Sequence, residues 1–170
     1  FKVLDKLVAD NPKAVLVGGA IQEITKEGIL LNVRRPPCSY GEILRFIRKR
    51  NPFNHMTTAF RTDVVKKLGG YPNLFLREDY GLWIKIVSEG YLCLNTDEVL
   101  VDATTGMDMY KRRGGFKNAK SEIELQKFLV SHQLKGRCQA IFDGLIRATV
   151  FLFPTSLRKL IYDCFLRHRK

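Results

Sequence analysis

The chain has 170 residues, 45% of them hydrophobic and 27% charged, which fits one globular domain, or one domain with a short appendage, and argues against a disordered chain. Its four cysteines (Cys38, Cys93, Cys138 and Cys164) form no CxxC or Cys/His cluster, so reduced thiols are expected rather than a disulfide scaffold or a zinc site. The net charge of +12 is uneven: residues 1–104 carry 15 Lys+Arg against 12 Asp+Glu, and residues 105–170 carry 14 against 5, an asymmetry that points to an anionic partner for the tail, either lipid headgroups or nucleic acid.

In chain order, KVLDKLVAD places Val3, Leu4, Leu7 and Val8 at helical spacing, and Asn11-Pro12 ends that helix. The opening at Phe1, without a charged leader or apolar run, is expected to lie inside a longer protein. AVLVGGAIQEI reads as a buried strand with a break at Gly18-Gly19, and the Lys26-Glu27-Gly28 turn leads into a second strand or hairpin arm, ILLNV. After the Arg34-Arg35-Pro36-Pro37 loop, Ser39 is placed to cap the helix YGEILRFIRKR, which Asn51-Pro52 stops. NHMTTAFR reads as a short strand, followed by a helix over 62–68 and a stop at Gly69-Gly70-Tyr71-Pro72. REDYGLWIKIVSEGY is an amphipathic helix ended by Gly90, and YLCLN and EVLVDAT are two further strand candidates. From Gly114 the pattern is helical only, with helices expected over 116–132, 136–153 and 155–168. The predicted fold class is therefore α/β with a helical C-terminal appendage.

The first candidate for chemistry is Glu78-Asp79, two carboxylates at a helix start. There the macrodipole and free N–H groups favour negative charge, which is a sufficient structural reason for the pair. A carboxylate so placed also suits a general base that takes a proton from an attacking hydroxyl, a role worth ~10²–10⁴-fold in rate.

The ordered string Asn51-Pro52-Phe53-Asn54-His55-Met56-Thr57, Phe60-Arg61, Leu68-Gly69-Gly70-Tyr71, Glu78-Asp79-Tyr80, Leu82-Trp83 and Gly90-Tyr91 resembles the distal half of family-2 glycosyltransferases. The likeness covers roughly residues 1–115 and is nearest to bacterial enzymes of capsule, exopolysaccharide and O-antigen assembly. It implies the C-terminal part of a GT-A domain, Rossmann-like with a mixed sheet, over residues 1–113, followed by a basic amphipathic helical region over 114–170.

By that resemblance Asp79 is the catalytic base, with Glu78 as its neighbour and acceptor contact, and Trp83 packs beneath the site. Asn54, His55 and Arg61 fall in the family-like motifs and are assigned to substrate binding. His55 also has a plain structural reading as a hydrogen-bonded imidazole beside a strand. The Lys111-Arg112-Arg113-Gly114-Gly115 run reads either as a solvated loop or, by resemblance, as a mobile segment in which Arg112 and Arg113 close on a diphosphate. The family binds a nucleotide-sugar donor, with Mn²⁺ or Mg²⁺ held by an Asp-x-Asp motif that would precede Phe1. Oxygen ligands suit such a cation. No metal ligand is assigned within the chain, and without its nucleotide-binding part it is expected to be inactive.

The implied reaction is transfer of a sugar, with inversion, to a hydroxyl of a lipid-linked saccharide acceptor in surface polysaccharide biosynthesis. The tail interleaves Ile141, Phe142, Leu145, Ile146, Phe151 and Phe153 with cations, and its longest uncharged run, Ala148 to Leu157, falls short of the ~20 residues a membrane span needs. It suits either an anionic membrane surface or packing on the domain. The expected location is cytoplasmic, peripheral at the inner face of the cell membrane. The alternatives are a non-catalytic membrane-association domain and a nucleic-acid-binding module. Charge favours the latter, but no helix-turn-helix, zinc-finger or RNP-like signature appears, so nucleic acid is not expected as a partner.

Overall fold

The computed structural model of the chain describes residues 2–104 and 114–154. Helix α1 (Lys2–Asp10) leads to strand β1 (Ala14–Ile24), which a turn at Gly28 joins to β2 (Leu30–Arg34). Helix α2 (Tyr40–Phe46) follows, then a single 3₁₀ turn (His55–Thr57), β3 (Ala59–Phe60), α3 (Thr62–Lys67) and α4 (Glu78–Ser88). Strand β4 (Leu92–Thr104), α5 (Phe116–Ser131) and α6 (Arg137–Leu152) complete the described fold. The architecture is α/β with a mixed sheet, as the sequence pattern predicts.

Strand β1 is the centre of the sheet. Strand β4 runs parallel to it along one edge, while β3 pairs antiparallel at Leu16 and Val17 and β2 antiparallel from Ile21 to Ile24 along the other. Residues Ala14 to Ile21 of β1 are all buried, as expected where both faces of a strand are covered. One covering is α1, whose Leu4 and Leu7 meet Ala14, Val17, Leu92, Leu94 and Leu100. The larger core gathers Leu16, Ile43, Ile47, Phe53, Leu82, Trp83, Ile84 and Ile86, and it also takes Leu125 and Leu129 from α5 and Leu134 from the link to α6. Helix α5 therefore shares the core of the sheet-bearing region, and α5 and α6 approach each other closely at Gly144, where a Cβ would lie 3.2 Å from Gln126 and Ile123.

Two sequence expectations differ from the structure. YLCLN and EVLVDAT form one strand, β4, whose register against β1 shifts between Gly18 and Ala20 and again between Ala20 and Ile21. The shifts absorb the polar Asn-Thr-Asp-Glu stretch that the sequence pattern reads as a break. NHMTTAFR is a 3₁₀ turn plus a two-residue strand, because the side chains of Asn54 and Thr57 fold back onto backbone groups of β1. The third tail helix, over 155–168, lies outside the described residues. Among the described residues no helix is long and apolar enough to cross a membrane.

Candidate active site

Strand β1 bears the Gly18-Gly19 pair where the site begins. A Cβ on Gly18 would stand 2.5 Å from Asn95 Oδ1, and one on Gly19 would stand 2.4 Å from Leu100 Cδ1, so the pair permits a close approach that larger residues would obstruct. Along the edge that β2 and β3 share, β3 pairs at Leu16 and Val17 and β2 from Ile21, so the backbone of Gly19 between them is open to side chains. Its N–H donates to Thr57 Oγ1 at 3.0 Å, and its carbonyl accepts from Asn54 Nδ2 at 2.9 Å. Asn54 Nδ2 also reaches the carbonyl of Arg34 at 3.3 Å. Asn54 is buried, and its amide donor is committed to backbone carbonyls on β1 and at the end of β2. Its observed work is to fasten the 3₁₀ turn to the sheet.

That turn exposes His55. No described residue bonds its ring nitrogens. Its ring instead stands 6.2 Å from the indole of Trp83 and 6.3 Å, edge-on, from Tyr71. Trp83 is fully buried beneath it, in tilted contact with Phe53 at 5.6 Å and Phe60 at 6.0 Å. Its Nε1–H has no partner among the described residues.

Helix α4 carries the carboxylates. Its apolar side, Leu82, Trp83, Ile86 and Val87, is buried in the core, which fixes the helix and presents its first turn at the surface. Glu78 is exposed, and its Oε1 accepts the N–H of Leu76 at 3.1 Å, closing the turn before the helix. Leu76 itself has φ of 57°, the left-handed region that a side chain rarely occupies. Asp79 is half-buried, and its Oδ2 accepts from Asn51 Nδ2 at 2.9 Å. No described cation forms an ion pair with it. Asp79 also lies near enough to Tyr71 for its charge to oppose ionisation of that phenol, whose pKa is raised first by burial and then by Asp79. Asn51, Tyr71, His55 and Asp79 thus form one surface group over Trp83.

Arg61 is not part of this group. It is exposed, paired with Asp63 at 2.9 Å, and its N–H bonds the carbonyl of Val15 near the start of β1. There it lines a shallow depression of about 400 Å³ with Lys13, Val64, Lys67 and Tyr91. Arg112 and Arg113 lie outside the described residues. Asn51 and Tyr71 are the residues that the sequence reading left unassigned. Both stood in the motif string, but each carried an obvious turn role, Asn-Pro as a helix stop and Gly-Gly-Tyr-Pro as another.

The helices of the tail reach this site through buried charge. Arg77, immediately before α4, donates to Glu122 Oε2 from Nε at 3.2 Å and from Nη2 at 2.8 Å. Glu122 Oε1 accepts from Gln126 at 2.8 Å and lies 3.6 Å from Arg147. Gln126 in turn accepts from Lys135, which also pairs with Asp143 at 2.5 Å. Arg147 further donates to the carbonyl of Lys49 at 2.6 Å, two residues before Asn51. Among the described residues, no three His, Cys, Asp or Glu side chains converge as a metal site.

No protein-family model matches the chain. It is 38% identical to an uncharacterized glycosyltransferase of Haemophilus influenzae over 94% of its own length and 60% of the relative's. It is 34% identical to the amylovoran biosynthesis glycosyltransferase AmsE of Erwinia amylovora, over 90% of this chain and 57% of that protein. It is 38% identical to the UDP-Gal:alpha-D-GlcNAc-diphosphoundecaprenol beta-1,3-galactosyltransferase of Escherichia coli, over 76% of this chain and 47% of that enzyme. The chain thus spans about half to three-fifths of the length of these curated relatives. Along most of its own length, the chain is a homologue of bacterial glycosyltransferases.

Proposed function

We propose that the chain is the acceptor-side part of an inverting, GT-A-type glycosyltransferase. It would act with a nucleotide-sugar donor on a hydroxyl of a lipid-linked saccharide in surface polysaccharide assembly. The observation that carries this reading is the state of Asp79: half-buried at the start of α4, oriented by Asn51, unpaired with any described cation, and bordered by the exposed rings of Tyr71 and His55. A carboxylate so placed suits a general base for an attacking hydroxyl.

In the proposed step the Asp79 carboxylate takes the proton of the acceptor hydroxyl as the oxygen bonds to the anomeric carbon. The bond from that carbon to the nucleoside diphosphate breaks on the opposite face, and its electron pair leaves on the diphosphate oxygen. Attack from the face opposite the leaving group inverts the anomeric centre. Trp83 supports His55 from below, while Asn54 and Thr57 fix the turn that presents it. The described residues do not supply a ligand set for the Mn²⁺ or Mg²⁺ that the resemblance implies, and no step here passes through a metal.

The acceptor class is supported by the Escherichia coli relative, whose printed acceptor is a diphosphoundecaprenol-linked sugar. A peripheral position at the inner face of the cell membrane is supported by α6. There Ile141, Phe142, Leu145 and Leu152 remain between 57% and 66% exposed in spite of the packing of α6 against α5. An exposed apolar row of this kind on a basic segment suits burial in the interface of an anionic membrane.

The test is transfer by the full-length gene product. A panel of labelled nucleotide sugars is offered to membranes from the source cells, and the configuration of the new linkage is read by NMR. Label entering the lipid fraction with an inverted anomeric centre is expected; retention of configuration, or no transfer from any donor, contradicts the proposal.

A further inference from the structure

Tyr71 is 46% exposed, whereas Trp83 and Phe53, at the base of the same site, are buried. Its position is also fastened to an unusual degree for a loop residue. Gly69 and Gly70 have φ of 74° and 66°, two successive left-handed residues that only glycine adopts without strain. They end α3 with N–H bonds from Gly69 to Lys66 and from Gly70 to Val65. Lys85 then donates from Nζ to the carbonyls of both Leu68 and Gly70 at 3.0 Å. The next residue, Pro72, packs so tightly on α4 that a Cβ on Gly81 would stand 2.4 Å from its Cγ.

Lys85 and Gly81 belong to the helix that begins with Glu78-Asp79. The ring and the carboxylate are therefore mounted on one rigid element, with the centroids of the Tyr71 and His55 rings 6.3 Å apart. A pyranose has one face of polarised C–H groups and a rim of hydroxyls. The C–H face suits the electron-rich face of an aromatic ring, and the rim suits a carboxylate beside that ring.

We infer that Tyr71 is the platform on which the acceptor's sugar ring stacks, holding its hydroxyl toward Asp79. The assignment rests on the proposed transferase reading and adds to it a specific acceptor-binding residue. Stacking on an exposed ring fixes the sugar's orientation before proton transfer, so its loss falls on acceptor binding and leaves donor binding alone.

The experiment uses the full-length gene product with source-cell membranes as acceptor and a panel of labelled nucleotide sugars. Apparent KM values for the acceptor lipid and for the donor are measured for wild type, Tyr71→Leu and Tyr71→Phe, with thermal melts to establish folding. Tyr71→Leu is expected to raise the acceptor KM by about tenfold, a typical share for one aromatic contact, while donor KM stays within about twofold. Tyr71→Phe, which keeps the ring, is expected to recover an acceptor KM near that of wild type. An unchanged acceptor KM in Tyr71→Leu, or equal losses in Leu and Phe, would overturn the stacking role while leaving the transferase reading intact. Absence of transfer by wild type from every donor would instead overturn the transferase reading, and the Tyr71 assignment with it.

Discussion

Asn51 donates from Nδ2 to Oδ2 of Asp79 at 2.9 Å, joining residues 28 apart in sequence. The other end of the same amide is also occupied, since Oδ1 accepts the N–H of Phe53 at 3.1 Å. The Asn51 side chain is thereby oriented, and it orients one oxygen of the carboxylate. Hydrogen bonds to an ionised group are among the stronger ones, at about 1.5–3 kcal/mol.

Asn51→Ala is therefore expected to lower turnover about tenfold or more and to cost about 1.5–3 kcal/mol of stability, since it removes the bonds to Asp79 and Phe53. Steady-state kinetics of the full-length enzyme beside urea denaturation of the same variant separates the two effects.

Glu122 is 5% exposed and meets Arg77, Gln126 and Arg147 together. Removing it leaves the guanidinium of Arg77, itself 13% exposed, without its carboxylate. Glu122→Ala is expected to destabilise the protein by about 3–5 kcal/mol, the range for breaking one side of a buried pair. A urea midpoint within error of wild type would show that the network does not hold α5 to the site helix.

Cys93 is fully buried, and burial pushes its thiol from the ordinary 9.0 up to about 12. The unfolded chain ionises this thiol first, so between pH 9 and about 12 the folded state binds more protons and stability falls as pH rises. Cys93→Ala is expected to flatten that part of the stability profile, at a constant cost for the lost packing. Chemical denaturation at intervals across this alkaline range provides the check.

The apolar row on α6 is expected to carry membrane association. Phe142 and Leu145 are 66% and 60% exposed, so Phe142→Glu with Leu145→Glu is expected to leave the fold intact. The double variant is expected to lower co-sedimentation with vesicles rich in anionic phosphatidylglycerol by about tenfold or more, since it loses two apolar anchors and adds repulsion. Unchanged sedimentation would place the contact elsewhere.

Much of the local structure was legible from residue patterns. Ser39 and Glu42 form the reciprocal cap expected of a serine at that position, with Oγ taking the Glu42 N–H and Glu42 taking the Ser39 N–H. The apolar stripe of α4 and the acidic pair at its start were equally plain, because helical period and end effects are properties of a short window. What escaped depends on residues far apart. The union of two strand candidates into β4 is decided by pairing with β1, whose register shifts accommodate the polar stretch. Arg61 stood in a family-like motif, yet its backbone N–H bonds the carbonyl of Val15, which sets it near the start of β1. Asn54, assigned to substrate, spends its amide donor on Gly19 and Arg34 carbonyls because Gly19 falls in the gap between the β3 and β2 pairings of β1. Asn51 and Tyr71 were hidden behind sufficient local roles as stop and turn residues; the attachment of the Gly70–Pro72 loop to α4 sets Tyr71 near Asp79, and Asn51 meets Asp79 across 28 residues of sequence.

Removal of the acceptor proton is the role proposed for Asp79. Its most direct test compares the full-length enzyme with Asp79→Asn, a change that keeps size and hydrogen-bonding shape but accepts no proton. Turnover is expected to fall by about 10²–10⁴-fold, with donor binding and thermal stability near those of wild type. Turnover within a few-fold of wild type in a folded Asp79→Asn enzyme would contradict it.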